Sequence, residues 1–179
     1  MIGYFQKRAY EKALKSLCAD RKASILDFNK IKNIAVIFEV TDETSYVEIL
    51  GIIEELRKQQ KKIAALAYFD GKKLPEYSED SLSLSHLSKN DIKGYAFPKG
   101  EYADNFFAAD YDLLISFDRR KTAVLYYSFA KITAKCKAVP YHSEYEKYAD
   151  FMISIDDENF DNILYVKELM HYLHNFSNK

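Results

Sequence analysis

The residues best suited to chemistry in this chain form one short segment, Ser116-Phe117-Asp118-Arg119-Arg120-Lys121-Thr122, which follows an apolar run. Guanidinium and ammonium groups bind phosphate and carboxylate, and the backbone N–H groups at a helix start add to that attraction. We therefore predict an anion-binding site in this segment, formed by Arg119, Arg120, Lys121 and Thr122. The alternative is a solvated charged turn, in which Asp118 caps the helix and pairs with an arginine.

Histidine is the side chain whose ordinary pKa best suits proton transfer near neutral pH. His142 follows a predicted strand and can reach the region of Ser116, so it is the candidate acid or base. His171 and His174 stand three positions apart on a predicted helix and can share a face. No cysteine or known ligand spacing accompanies them, so we expect no metal site.

Ligands of open α/β sheets bind beyond the carboxyl ends of the strands. A nucleotide site of this fold class would lie at the turn after the first strand, residues 39–44. This turn has no glycine and three carboxylates. These carboxylates cap the following helix and repel phosphate, which excludes a conventional dinucleotide or P-loop site. We expect no cofactor. The residues predicted to line the crevice are Glu39, Asp42, Asp70, Ser116 and Asp118.

The elements that would position these residues alternate along the chain between apolar runs and helical patterns. The continuous apolar run over residues 34–38 suits a parallel strand that is covered on both faces, and further strands are predicted over residues 63–69, 111–116, 135–139 and 151–154. Helical spacing predicts helices over residues 3–19, 41–60, 99–109, 121–132 and 159–175. The polar residues 72–91 are interpreted as a loop and residues 92–97 as a short edge strand. The pattern predicts a three-layer α/β sandwich with a Rossmann-like, mostly parallel sheet of five or six strands and an extra N-terminal helix.

The N-terminal helix is a basic amphipathic segment, residues 1–22, attached to a Rossmann-like core of residues 23–179 in the same domain. Its apolar residues recur at helical spacing and predict an apolar stripe of Phe5, Ala9, Ala13 and Leu17, with Leu14 and Cys18 beside it and a basic opposite face. The helix could dock on the domain, pair with a second copy in a homodimer, or lie on an anionic membrane surface.

Length, charge and composition narrow the class of protein to which the chain can belong. A chain of 179 residues suits one domain, and a net charge of −1 gives no case for nucleic acid. The two cysteines, Cys18 and Cys136, lie far apart, which is typical of free thiols in a reducing compartment. No apolar run approaches the ~20 residues of a membrane span. These features predict a cytoplasmic protein.

Four segments of the chain resemble a family of uncharacterised bacterial proteins that is known only as a domain of unknown function: residues 28–34, 111–116, 125–137 and 148–153. The resemblance covers nearly the whole chain and implies the fold and a cytosolic location, without an activity. Members tend to carry a glycine where this chain has Val139. The segment Tyr111-Asp112-Leu113-Leu114-Ile115 is also similar, at the level of the fold, to the N-terminal half of heptosyltransferase-type glycosyltransferases.

These observations favour a non-catalytic binding or interaction module with a Rossmann-like fold, whose partner is an unidentified protein or a small anionic ligand. The alternative is binding or turnover of a phosphorylated or sugar-nucleotide small molecule in the crevice, with the cations as its anchor and His142 as acid or base. A third hypothesis is peripheral membrane contact through residues 1–22.

Overall fold

A computed structural model describes residues 3–17, 24, 26–156 and 160–175. Its strands are β1 Asn33–Glu39, β2 Lys62–Tyr68, β3 Leu84–Leu87, β4 Ile92–Lys93, β5 Phe97–Pro98, β6 Asp110–Ser116, β7 Thr133–Pro140 and β8 Phe151–Ile153. Six of them form one parallel sheet in the order β3-β2-β1-β6-β7-β8. The sheet therefore extends from β1 to β2 and β3 on one side, and from β1 to β6, β7 and β8 on the other.

In the described part of the chain, five α-helices accompany the sheet: α1 Tyr4–Ser16, α2 Glu43–Lys58, α3 Glu101–Ala108, α4 Ala123–Lys131 and α5 Asn162–Asn175. Apolar residues of α2 and α5 pack on one face, and those of α1, α3 and α4 pack on the other. Along β1, Ile34, Val36 and Phe38 face the first core and Ala35 and Ile37 the second. Alternate side chains of a strand point to opposite faces, so a continuous apolar strand needs a helical layer on each side. The predicted three-layer α/β sandwich is confirmed.

The segment predicted as a polar loop, residues 72–91, contains a strand that the prediction missed. β3 is only four residues long and pairs with β2 in parallel, from Ala65 with Leu84 to Tyr68 with Leu87. Ser85 and His86 separate its two leucines, so its own pattern is weak. The open edge of β2 supplies the hydrogen-bonding partners that make it a strand.

The edge strand predicted over residues 92–97 was wrong as well. The chain instead forms a small antiparallel hairpin outside the main sheet, in which Ile92 pairs with Pro98 and Lys93 with Phe97. Gly94 has φ +63°, a conformation that L-residues rarely adopt, and this lets the chain reverse within the hairpin.

Helix α1 docks on the domain through a face that matches the predicted stripe only in part. Tyr10 and Leu14 are buried, whereas Phe5 is 82% exposed. The Tyr10 hydroxyl donates to the carbonyl of Ala123 at 2.9 Å, and its ring lies 4.9 Å from that of Tyr95. A tyrosine with a polar tip is easily assigned to the outer face from sequence, yet here the tip finds a backbone partner inside. The last two residues of the predicted helix, 18 and 19, lie outside the described residues.

A buried lysine holds the end of α4 against the sheet. Lys137 on β7 is 2% exposed, and its Nζ donates to the carbonyls of Phe129 at 2.8 Å and Ala130 at 3.2 Å. The last carbonyls of a helix lack partners within the helix, and a cation there also complements the helix dipole. Lys137 therefore serves as a C-terminal cap supplied from a neighbouring strand.

We expect Lys137→Met to lower the free energy of unfolding by about 2 kcal/mol, because it leaves two buried carbonyls without their charged donor. Urea denaturation followed by circular dichroism measures this change. The matched control is Lys135→Met on the same strand, where the side chain is 57% exposed and its ammonium pairs with Asp112 at 2.8 Å. Its loss should cost well under 1 kcal/mol. Equal midpoints for the two variants would contradict the capping role.

Candidate functional site

The candidate site lies where β1 and β6 run side by side and the strand order changes direction. Both strands end at the same edge of the sheet, and their chains then leave towards opposite helical layers, β1 to α2 and β6 to α4. Such a point leaves a crevice between the two departing loops, and it is the usual ligand position in open α/β sheets. Residues 39–42 and 117–122 form the two walls.

In the turn after β1, the carboxylate of Asp42 occupies the N-terminal end of α2. Asp42 caps α2, since its Oδ1 accepts from the Ser45 backbone N–H at 2.8 Å. The Thr41 hydroxyl donates to the other oxygen at 2.9 Å. The hydrogen bonds from Ser45 and Thr41 lower the pKa of Asp42 below its ordinary value. The expected N-capping is confirmed, and it uses a backbone amide to which a phosphate would otherwise bind.

Glu39 bridges the two walls instead of capping a helix. Its Oε2 accepts from the Thr122 hydroxyl at 2.9 Å and lies 2.6 Å from Nη2 of Arg120. The carboxylate side chain is only 12% exposed, whereas Arg120 is 65% exposed. The hydrogen bond and charge of Glu39 raise the pKa of the Arg120 guanidinium. A carboxylate on β1 thus holds the loop that follows β6.

Asp118 fixes the same loop from the inside. It is 2% exposed and accepts from the Tyr145 hydroxyl at 2.7 Å and from the backbone N–H groups of Arg120 at 3.1 Å and Thr122 at 3.2 Å. Burial raises the pKa of Asp118, and these hydrogen bonds partly oppose that rise. Burial likewise raises the pKa of Tyr145 well above its ordinary value. The sequence predicted that Asp118 caps α4, but it accepts from amides of the loop that precedes this helix. Arg120 pairs with Glu39.

Two clefts open on either side of the Glu39–Arg120 bridge. The larger, of about 790 Å³, lies on the side of α2 and α5, and its walls include Thr41, Thr44, Ser45, Phe117, Arg119 and Phe160. The smaller, of about 680 Å³, lies on the side of α4 and the β4–β5 hairpin, and its walls include Tyr68, Asp70, Lys89, Tyr95 and Thr122. Glu39 and Arg120 line both clefts, so the bridge is the partition between them.

The three cations predicted as one anion clamp point to three different neighbours. The Arg119 guanidinium lies 4.0 Å from the ring centre of Phe160. Arg120 pairs with Glu39, as described. Lys121 has φ +54°, which turns its ammonium towards Glu144 and over the ring of Tyr126 at 4.9 Å. The structure brings Arg119 and Arg120 to the larger cleft and directs Lys121 to the 143–147 turn.

Of the other predicted residues, one lines the smaller cleft, one is buried beneath the crevice and one caps a turn. Asp70 lines the smaller cleft, where it accepts from the Tyr68 hydroxyl at 2.9 Å and pairs with Lys89 at 3.1 Å. Ser116 is fully buried, and its hydroxyl accepts from the Asp118 backbone N–H at 3.2 Å, so it supports the crevice from below. His142 caps the 143–147 turn, where its Nδ1 accepts from the Glu144 backbone N–H at 3.3 Å.

Tyr145 and Phe160 belong to the site and were missed from sequence. Both lie in a stretch whose carboxylates dominate its composition, and its only local signal is an aromatic residue among acidic neighbours. Tyr145 comes to the site because the chain after β7 folds back over α4, where its ring lies 4.9 Å from Phe129. That return path follows from the packing of β8 beside β7.

A second polar cluster, also missed, lies at the edge of the sheet. His86 on β3 is bonded through Nδ1 to Asp80 at 2.7 Å and through Nε2 to the Tyr46 hydroxyl at 3.0 Å. Asp80 also accepts the His86 backbone N–H at 2.9 Å. The cluster ties the 70–83 segment to α2 and explains how an interrupted strand stays attached to β2.

Over residues 3–17, 24, 26–156 and 160–175, no three His, Cys, Asp or Glu side chains are arranged to hold a metal ion. Within the same ranges, no helix combines the length and the apolar character needed to cross a membrane.

The titration of Asp118 provides a test of its buried position. Because the folded chain binds this proton more tightly than the unfolded chain, the stability that Asp118 contributes is greatest below its unfolded pKa and falls as pH rises through the raised folded value. We expect the difference in unfolding free energy, wild type minus Asp118→Asn, to decrease as the pH rises above about 4, the ordinary pKa of an aspartate. Urea titrations across this range measure it.

Asp70→Asn is the control of opposite sign. The hydrogen bond from Lys89 lowers the pKa of Asp70, with burial opposing. Its stabilising contribution is therefore present above the unfolded pKa and is lost as pH falls below about 4. A wild-type advantage over Asp118→Asn that stays level or grows towards neutral pH would show that the Asp118 carboxylate is not the costly buried group described here.

Comparison with known proteins supports the sequence resemblance only in part. No curated protein and no solved structure matches the chain, so the similarity to heptosyltransferase-type enzymes finds no support. One family model matches residues 3–176, which is nearly the whole chain. The chain belongs to that family, a family of unknown function designated DUF6913.

Proposed function

We propose that this protein is a non-catalytic binding module with a Rossmann-like fold, and that its ligand site is the larger cleft at the carboxyl ends of β1 and β6. The observation that carries the proposal is the position of this cleft at the change in strand order, between loops that a buried network holds in place. Pre-organised walls of this kind favour binding, because little conformational entropy is lost when a ligand enters.

The chemistry of the walls favours a small polar molecule with hydroxyl groups. Thr41, Thr44 and Ser45 present hydroxyls at the start of α2, and Phe117 and Phe160 provide apolar surface opposite. Cavities with an apolar lining and a few well-placed polar groups are typical of small-molecule sites. The walls thus combine hydrogen-bonding groups with apolar surface.

The charge of the walls disfavours a polyphosphate. Four carboxylate side chains line the larger cleft against two guanidinium groups: Glu39, Asp42, Glu48 and Asp118 against Arg119 and Arg120. The cleft therefore has a net negative formal charge, and like charges in a partly enclosed site repel strongly. A neutral ligand, or one with a single negative group directed at the arginines, suits it best.

The contacts of the titratable side chains support binding without turnover. Glu39 is bonded to Thr122 and Arg120, and Asp118 to Tyr145 and the loop amides. A general base must reach the proton that it removes from a substrate, and a carboxylate engaged in this way is directed elsewhere. These groups position the walls.

A second candidate function keeps the ligand class predicted from sequence, a phosphorylated or sugar-nucleotide molecule. The observation in its favour is that Arg120 is 65% exposed while its Nη2 contacts Glu39. A guanidinium has five N–H donors, so one phosphate or carboxylate can approach the outer side of Arg120. A monophosphate sugar fits this arrangement better than a nucleoside polyphosphate.

The test is a thermal-shift screen of sugars, sugar phosphates, nucleotides and sugar nucleotides, in wild type and in Thr44→Trp, which fills the larger cleft. A ligand at about 100 times its Kd adds roughly 2.7 kcal/mol, which for this chain length raises Tm by roughly 5–10 °C. We expect a sugar or sugar monophosphate to give such a shift in wild type and none in Thr44→Trp.

The matched control is Val47→Trp, which places the same side chain on the same helix at a position that is 58% exposed. It should retain the wild-type shift. Ligands that stabilise Thr44→Trp as strongly as wild type would place binding elsewhere and contradict the proposed site. Mass spectrometry of the recovered ligand then tests turnover, and a product formed by wild type but not by Thr44→Trp would show that the module is an enzyme.

A further inference from the structure

Helix α1 presents a fixed outer face that the cleft does not use. Its inner side is anchored in the middle of the helix, by the Tyr10 hydroxyl on the Ala123 carbonyl, and near its C-terminal end, by the Tyr148 hydroxyl on the Leu14 carbonyl at 3.1 Å. These anchors decide which side of the helix remains outside. The helix cannot turn its outer residues towards the core without breaking both contacts.

The outer face combines two exposed aromatic rings with a row of cations. Tyr4 is 72% exposed and Phe5 is 82% exposed, and their rings touch edge to face with centroids 5.9 Å apart. Arg8, Lys12 and Lys15 are exposed as well. Positions 5, 8 and 12, and positions 4, 8, 12 and 15, follow helical spacing and lie on one side.

We infer that this outer face, formed by Tyr4, Phe5, Arg8, Lys12 and Lys15, binds the surface of an anionic lipid bilayer. Aromatic rings enter the boundary between headgroups and acyl chains, while cations remain at the lipid phosphates. A helix that carries both kinds of side chain on one face suits this boundary. This face of α1 is separate from the ligand cleft.

Charge and ring geometry favour lipid over nucleic acid. The Tyr4 and Phe5 rings stand at 77° to each other, so they do not form the parallel platform on which successive bases stack. The chain as a whole has a net charge of −1, and its cations on α1 are few. A bilayer requires only a local excess of positive charge within a Debye length of its surface.

The position of α1 is compatible with a ligand in the larger cleft. α1 packs on the α3–α4 side of the sheet, whereas the larger cleft is lined from α2 and from residues 160–162 on the other side. The two surfaces can therefore be occupied at the same time, and their tests can fail independently.

The first experiment is co-sedimentation of the full chain at low salt with vesicles of phosphatidylcholine alone or mixed equally with phosphatidylglycerol. We expect binding to the anionic vesicles only. Each cation near such a surface contributes about a fivefold change in partition, so Arg8→Glu with Lys12→Glu should weaken binding by more than tenfold. The charge-matched control, Lys72→Glu with Lys73→Glu, changes two exposed cations on the loop after β2, outside the proposed face of α1, and should bind like wild type.

The aromatic part of the inference has its own pair of variants. Tyr4→Ser and Phe5→Ser should each weaken binding severalfold, whereas Tyr102→Ser, which removes a ring that is 66% exposed on α3, should leave it unchanged. The chain contains no tryptophan, so Phe5→Trp adds a single fluorescent reporter. We expect its emission to shift to the blue with anionic vesicles and to stay unchanged with neutral ones.

Three results would overturn the inference. The first is no binding to anionic vesicles above the neutral background at low salt. The second is equal loss of binding in the Lys72/Lys73 and Arg8/Lys12 variants, since general charge would then explain the attraction. The third is complete competition by single-stranded RNA at a concentration below that of the lipid headgroups, which would identify nucleic acid as the preferred partner.

Discussion

The Glu39 carboxylate joins the end of the central strand β1 to the loop after β6, and the shape of the site depends on this contact. The group is mostly buried, so it requires a compensating charge, which Arg120 supplies from the solvent side while the Thr122 hydroxyl donates from below. The bridge sets the path of the β6–α4 loop. That path in turn separates the two clefts and directs Lys121 away from them.

The carboxylates around the bridge take the positions that an anionic ligand would need in a nucleotide-binding protein. Nucleotide sites of this fold class use glycine-rich turns whose backbone N–H groups face the phosphates. Here Asp42 accepts the Ser45 amide, and Asp118 accepts the amides of Arg120 and Thr122. The protein satisfies these donors internally, which gives a rigid crevice whose surface is rich in hydroxyls and negative in charge.

Tyrosine hydroxyls connect parts of the chain that are far apart in sequence. Tyr10 reaches Ala123, Tyr126 reaches the Glu144 carbonyl at 2.9 Å, and Tyr145 reaches Asp118. Each ring packs in the apolar core on the α1, α3 and α4 side of the sheet, while its hydroxyl satisfies a polar group of a distant segment. This use explains why a chain with 15 tyrosines and no tryptophan is well suited to hold one crevice wall and α1 in place.

The sequence by itself determined the layered fold, because continuous apolar runs separated by helical spacing permit only a parallel sheet covered on both faces. It also determined the capping of α2 by Asp42, a local interaction between residues three apart. Only the tertiary structure decided the Glu39–Arg120 and Asp118–Tyr145 contacts, since each joins segments that are far apart in the sequence. It likewise decided that β3 is a strand and that Tyr10 faces inward, because the open edge of β2 and the Ala123 carbonyl exist only once distant segments have packed together.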